Sequence, residues 1–356
     1  MELLGEGEDT GPARPQTPQP PFPYSARDVT YTNPIDNNTL AGTLTVPPGD
    51  GRHPAAILIT GSGSQDRDET LFNHKPFWVI ADHLSRQGIA VLRVDDRGIG
   101  GSDGARADIT SADFAGDVAA GVAFLREQSD IDPDQIGLIG HSEGGLIAPI
   151  VASDDPRLAF LVLLAGTGVD GREVLALQND LLLRAAGASE AYIEAQISRQ
   201  QPLWDAMAEG ADEEIIDALL TALLEHQLQG VTGAARDQAW ESAWGPAKRQ
   251  ATSPWFQYFL NTDPATFLEQ VAAPVLALNG TLDLQVDAEQ NLVPIEAALA
   301  RGGNDDVTVR RLDRLNHLFQ TATTGAVAEY GTIEETFAPE ALELMTAWIL
   351  ARVMVP

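Results

Sequence analysis

A buried strand that ends in a glycine-flanked serine and passes at once into a helix is the feature that most restricts this chain. Residues 136–139, Ile-Gly-Leu-Ile, read as a strand, Gly140-His141-Ser142-Glu143-Gly144 follows, and residues 145–152 continue with helical spacing. Such a turn holds a serine hydroxyl above the end of a sheet, and the glycines leave room for the bend. The helix beyond it aims its N-terminal amides at the place where an oxyanion would develop. Pro149 is tolerable there as a kink.

The pattern alone proves little, because Gly100-Gly101-Ser102-Asp103-Gly104 repeats it. That copy lacks the context. Its strand ends near Val94, residues 95–99 intervene, and no helix follows at once. Ser102 therefore reads as a loop residue.

The rest of the chain alternates. Strands are expected over 29–32, 40–46, 55–60, 89–94, 136–139, 158–164, 274–278 and 307–312, and helices over 77–86, 112–127, 144–152, 288–300 and 339–353. Alternation of this length predicts an α/β domain with a mostly parallel central sheet flanked by helices. It stops after the sixth strand. Residues 169–250 are rich in Ala, Leu, Glu and Gln and read as a helical cap insertion. Residues 25–168 and 251–356 then form one catalytic domain. Residues 1–24 have six prolines between Pro12 and Pro23 and read as a flexible arm.

Charge and cysteine usage remove whole classes of function. The net charge is −30, with two lysines against 52 acidic residues, so nucleic acid and anionic membrane are repelled as partners. With no cysteine, thiolate zinc sites and cysteine nucleophiles are excluded. The longest apolar run, residues 158–165, falls far short of the ~20 residues that span a bilayer. The first residues show neither a basic nor an apolar signal segment, which leaves the compartment open between cytoplasm and export. A monomer or small homo-oligomer is expected.

A serine hydroxyl needs a base, and the base needs an acid to orient it. Only His226 and His317 follow Ser142. His226 occupies a polar position on a cap helix, whereas His317 lies in a loop just after the last strand, where a base can reach the top of the sheet. Asp283 ends a short turn after the penultimate strand. Asp287 lies nearer the next helix, where N-capping explains it. The expected triad is Ser142, Asp283 and His317. The expected oxyanion donors are the amides of Glu143 and Ser62, with Gly63 as the neighbouring alternative. No metal or organic cofactor is required.

At these residues the chain resembles a bacterial carboxylesterase branch of the α/β-hydrolase superfamily. The matching runs are Thr60-Gly61-Ser62-Gly63-Ser64-Gln65-Asp66-Arg67-Asp68, Asp95-Asp96-Arg97-Gly98, Gly140-His141-Ser142-Glu143-Gly144-Gly145, Ser253-Pro254-Trp255-Phe256, Asn279-Gly280-Thr281-Leu282-Asp283 and Asn316-His317-Leu318-Phe319-Gln320. The resemblance implies the α/β-hydrolase fold and hydrolysis of short acyl esters, with a small-molecule ester as partner. It is also similar to prolyl-peptidase catalytic domains, which keeps peptidase activity in view beside thioesterase and lactonase activity. A non-catalytic ligand-binding scaffold is the remoter alternative. Gly63, His141, Trp255 and Phe256 are candidate substrate contacts, with Phe72 and Trp78 as further aromatics. Asp66, Arg67, Asp68, Asp95, Asp96 and Arg97 read as ion pairs bracing the oxyanion loop.

Overall fold

Runs of Val, Ile, Leu and Ala form strands buried on both sides, because helices cover both faces of the sheet. The computed structural model describes residues 12–105 and 107–353. Its strands are β1 (Ser25–Thr32), β2 (Thr39–Val46), β3 (His53–Ile59), β4 (Ala90–Val94), β5 (Ile131–His141), β6 (Phe160–Leu164), β7 (Val275–Gly280) and β8 (Val307–Leu312). They form one sheet in the order β1-β2-β4-β3-β5-β6-β7-β8. β2 runs antiparallel to both its neighbours, and β3 to β8 pair in parallel.

Register explains how one sheet serves two cores. Ile57, Leu138, Leu161, Val275 and Val307 lie side by side across five strands and face one core. The next residues, Leu58, Ile139, Val162 and Leu276, face the opposite way. All but Leu58 lie fully enclosed in the second core, which Leu58 also joins. The first core is covered by α2 (Ser111–Arg126), α3 (Gly144–Asp154), α9 (Ala265–Leu268) and α10 (Ala288–Arg301). The second is covered by α1 (Pro76–Arg86) and α12 (Pro339–Val353). A short α11 (Val327–Tyr330) lies between β8 and α12.

The helical insertion follows β6 as α4 (Gly171–Ala185), α5 (Glu190–Ala208), α6 (Glu213–Gln227), α7 (Ala234–Ala251) and α8 (Pro254–Asn261). It has its own apolar cluster, with Leu203, Trp204 and Met207 of α5 against Ile216, Leu220, Leu223 and Leu224 of α6. Phe256 and Leu260 of α8 join that cluster, so its packing continues past the boundary expected at residue 250.

The flexible arm expected over residues 1–24 needs correcting where it is described. Residues 1–11 lie outside the described residues. Arg14 donates to the carbonyls of Phe72, Gly331 and Ile333 at 2.8–2.9 Å. Gln16 bonds the backbone of Thr336 and Phe337, and the Tyr24 hydroxyl donates to Asp82 at 2.7 Å. Proline removes backbone donors, but guanidinium, amide and phenol groups supply the attachment instead. Apolar periodicity carries no trace of that.

Candidate active site

The site begins with a strained turn. Ser142 has φ of 53°, in the left-handed region that a residue with a Cβ adopts at a cost. The turn persists because its surroundings leave no alternative. A Cβ on Gly140 would lie 2.0 Å from the Gly144 oxygen, and one on Gly144 would lie 2.2 Å from the Ile59 oxygen. The Ser142 amide is tied to the Leu164 carbonyl at 2.8 Å, which locks the turn to β6.

Two loops at the same edge of the sheet bring a carboxylate and an imidazole together. At the end of β7, Asn279 donates to the Val286 carbonyl at 2.8 Å and closes a tight turn. In that turn Asp283 Oδ1 accepts the Gln285 and Val286 amides at 2.8 and 2.9 Å. Its Oδ2 accepts His317 Nδ1–H at 2.8 Å. After β8, the buried Asn316 side chain accepts the Leu318 and Gln320 amides and shapes the loop that carries His317. A proton on Nδ1 leaves Nε2 with its lone pair. Ser142, His317, Ser62 and Glu143 line one cavity of about 430 Å³, whose walls include Leu146, Val174, Leu175, Phe256 and Phe259.

The alternatives weighed on sequence fall elsewhere. Asp287 caps α10 by accepting the Gln290 amide at 2.8 Å. His226 is not an outward-facing cap residue. It is buried on α6 and stacks on Tyr192 at 5.1 Å. Ser102 is buried in its loop, where its hydroxyl donates to the Asp95 carbonyl and accepts the Ala41 amide.

The candidate substrate contacts divide. Trp255 and Phe256 line the cavity, as does Phe72, which also meets Tyr330 edge-on. Gly63 lines a neighbouring cavity instead, and Trp78 lies under the cations of Lys75 and Arg93. His141 reaches the cavity but has no free ring nitrogen. Nδ1 meets Glu69 Oε1 at 2.9 Å and Nε2 meets the His317 carbonyl at 2.9 Å. The carbonyl accepts, and so does Glu69 when ionised, an arrangement that favours the doubly protonated ring. Burial pushes its pKa down, but the Glu69 carboxylate and the His317 carbonyl outweigh this and hold it above the ordinary histidine value. His141 is therefore a brace for the His317 backbone.

Glu69 was not foreseen from sequence. It is buried, and the same Oε1 also accepts the Gly61 amide at 2.7 Å. Its only local signal is its place just after Asp66-Arg67-Asp68, and its partner His141 is 72 residues away. Around it, Arg67 pairs with Asp95 at 2.7 Å, Arg93 with Asp68, and Arg97 with Asp117 at 2.7 Å. Asp66 and Asp96 differ from the ion pairs expected of them. Asp66 accepts the Asp68 and Thr70 amides of its own turn. Asp96 accepts Thr60 Oγ1–H and the Gln65 amide, clamping the loop after β3. Burial, aided by the charges of Glu143 and Glu69 and opposed by those two hydrogen bonds, pushes its pKa up to about 7. The Glu143 carboxyl, raised by burial, accepts both Ser111 Oγ–H and Trp255 Nε1–H at 2.7 Å. It thereby joins the elbow to α2 and α8.

Known proteins share this architecture. The model of the X-Pro dipeptidyl-peptidase family (S15) matches residues 36–302. Esterase EstD of Thermotoga maritima is 26% identical over 301 residues, which cover 84% of this chain and 61% of that protein. A Penicillium polyketide transferase is 33% identical over 139 residues, 39% of this chain and 44% of that protein. The chain thus spans less than two thirds of the length of these relatives. Among solved structures, the Penicillium α/β hydrolase GrgF superposes with a TM-score of 0.57 at 18% identity, covering 93% of this chain and all of that one. A Pyrococcus furiosus esterase superposes with a TM-score of 0.54 at 16% identity, covering 92% and 91%. The chain belongs to the X-Pro dipeptidyl-peptidase (S15) family, within the serine hydrolases of the α/β-hydrolase superfamily.

Proposed function

We propose that this protein hydrolyses carboxylic esters through an acyl-enzyme on Ser142. The observation that carries the reading is the 2.8 Å pair of Asp283 and His317, which faces the same cavity as a serine held on a strained elbow. Neutral His317 takes the Ser142 proton through Nε2 as the hydroxyl attacks the ester carbonyl. Asp283 holds the tautomer and stabilises the imidazolium that forms. The oxyanion rests on the amides of Glu143 and Ser62. The Gly61 amide is occupied by Glu69, and Gly63 lines the other cavity, which favours Ser62 as the second donor. His317 then protonates the leaving alcohol, and water repeats the sequence on the acyl-enzyme.

The family match makes peptide hydrolysis the second reading. Release of an N-terminal dipeptide requires a partner for the free α-ammonium of the substrate. The two carboxylates lining the cavity, Glu69 and Glu143, already accept hydrogen bonds from the protein. All of these bonds fall on Oε1 of each, so the preference for esters rests on the esterase relative instead. Thioesters would react by the same steps, and a relative from Aspergillus aculeatus is named a thiohydrolase. A fluorophosphonate probe is expected to label Ser142, and a panel of esters, thioesters and dipeptidyl amides is expected to rank esters first. Absence of labelling on folded protein overturns the serine mechanism. Faster turnover of dipeptidyl amides overturns the ester assignment.

A further inference from the structure

The cap contains a chamber of about 310 Å³ behind the catalytic cavity. Leu175, Gln178, Gln250 and Phe256 line both spaces, so the two share a wall made by α4, α7 and α8. Its floor is made by the buried Leu203, Met207, Leu220 and Leu223, with the half-buried Gln200 beside them, and it opens outward at the exposed Gln227. None of its lining residues is charged, in a chain of net charge −30. A half-open recess lined by apolar side chains and neutral amides suits an uncharged chain and penalises a charged one.

The catalytic geometry says which part of a substrate would enter. His317 must hand its proton to the leaving oxygen, so the alcohol lies toward His317 and its neighbours Leu318, Val327 and Tyr330. The acyl group then points away from His317, toward the cap. From this we infer that the chamber receives the distal end of the acyl chain, so that the preferred esters carry medium-length, uncharged acyl groups rather than short ones. The inference rests on the ester-hydrolase reading and deepens it.

The test is kcat/KM across acetyl, butyryl, hexanoyl and octanoyl esters of one alcohol, and across acetates of lengthening alcohols. The acyl series is expected to rise by about three- to fourfold per methylene until the chamber fills, as burial of each CH₂ implies. The alcohol series is expected to stay flatter. Ala247→Phe and Asn179→Phe enter the chamber from two different helices and touch only its own lining. Each is expected to lower octanoyl turnover at least tenfold and leave acetyl turnover within twofold, the latter also reporting that the variant is folded. An octanoyl chain ending in carboxylate is expected to be at least tenfold poorer than the neutral chain. A wild-type acyl profile that falls after butyryl, a steeper gain in the alcohol series, or equal losses on acetyl and octanoyl esters in both variants overturns the chamber assignment alone. Absence of turnover for every ester overturns the parent reading and the chamber with it.

Discussion

The sheet domain and the cap hold themselves together differently. In the sheet, strands share buried rows that run across β3, β5, β6 and β7, and the carboxylates beneath the site have named partners. In the cap, one apolar cluster spans α5, α6 and α8 with no sheet beneath it; among the described residues, buried polar atoms without a protein partner occur in both regions, Gln196 Oε1, Gln200 Oε1 and both nitrogens of His226 in the cap and Asn38 Oδ1, Arg93 Nε and Arg126 Nε in the sheet domain. The difference teaches that the candidate reacting groups stand on loops pinned by one shared sheet, while the cap walls of the cavity rest on a single cluster of helices.

The largest effect tests where chemistry resides. Ser142→Ala is expected to lower kcat on a reactive ester by about 10⁶-fold with the melting temperature little changed, since alanine keeps the Cβ and the turn and loses only the hydroxyl. A second substitution, His317→Ala, is expected to add little, because the groups act as a unit. Residual turnover near wild type in Ser142→Ala would break the assignment.

Next come two matched leucines. Leu138, fully buried on β5, and Leu220, nearly so on α6, have the same chemistry in the two regions. Leu138→Ala is expected to cost the whole molecule about 3–5 kcal/mol, read as a shift in denaturant midpoint. Leu220→Ala is expected to speed amide hydrogen exchange in α5 and α6 while β5 and β6 amides keep their protection. Uniform loss of protection in both variants would show that the two regions unfold as one and remove the contrast.

The smallest effect is on pH. His141 has its pKa raised in the fold, so the stability it contributes is complete below its unfolded value, near pH 6.5, and is lost as pH rises through the folded value. The melting temperature is expected to fall over that window in the wild type. Glu69→Gln removes the carboxylate that holds the charge and is expected to flatten the dependence. An unchanged slope in the variant would show that Glu69 is not the cause.

Much of the site was legible because its signals are local. The elbow is a contiguous strand, Gly-x-Ser-x-Gly and helix, and Asp283 and His317 sit in loops just after predicted strands. The distinction between Asp283 and Asp287 also followed local rules, since a helix start explains the second. What escaped was contact between distant segments. Glu69 meets His141, Trp255 meets Glu143, and Arg14 meets the carbonyls of residues 331 and 333, with no repeating pattern to announce any of them. His226, read as a polar position on a cap helix, lies buried there with Tyr192 stacked on it, a contact between two helices that spacing does not announce.

By itself the sequence determined the fold and the order in which the candidate reacting groups fall along it. Periodicity decides which face of each strand and helix is buried, and glycine spacing decides where the chain can bend sharply. Only the tertiary structure decided which acids are free and which are committed, and how much space lies behind the nucleophile. Both depend on which side chains from remote segments meet, a property of packing that spacing along the chain does not encode.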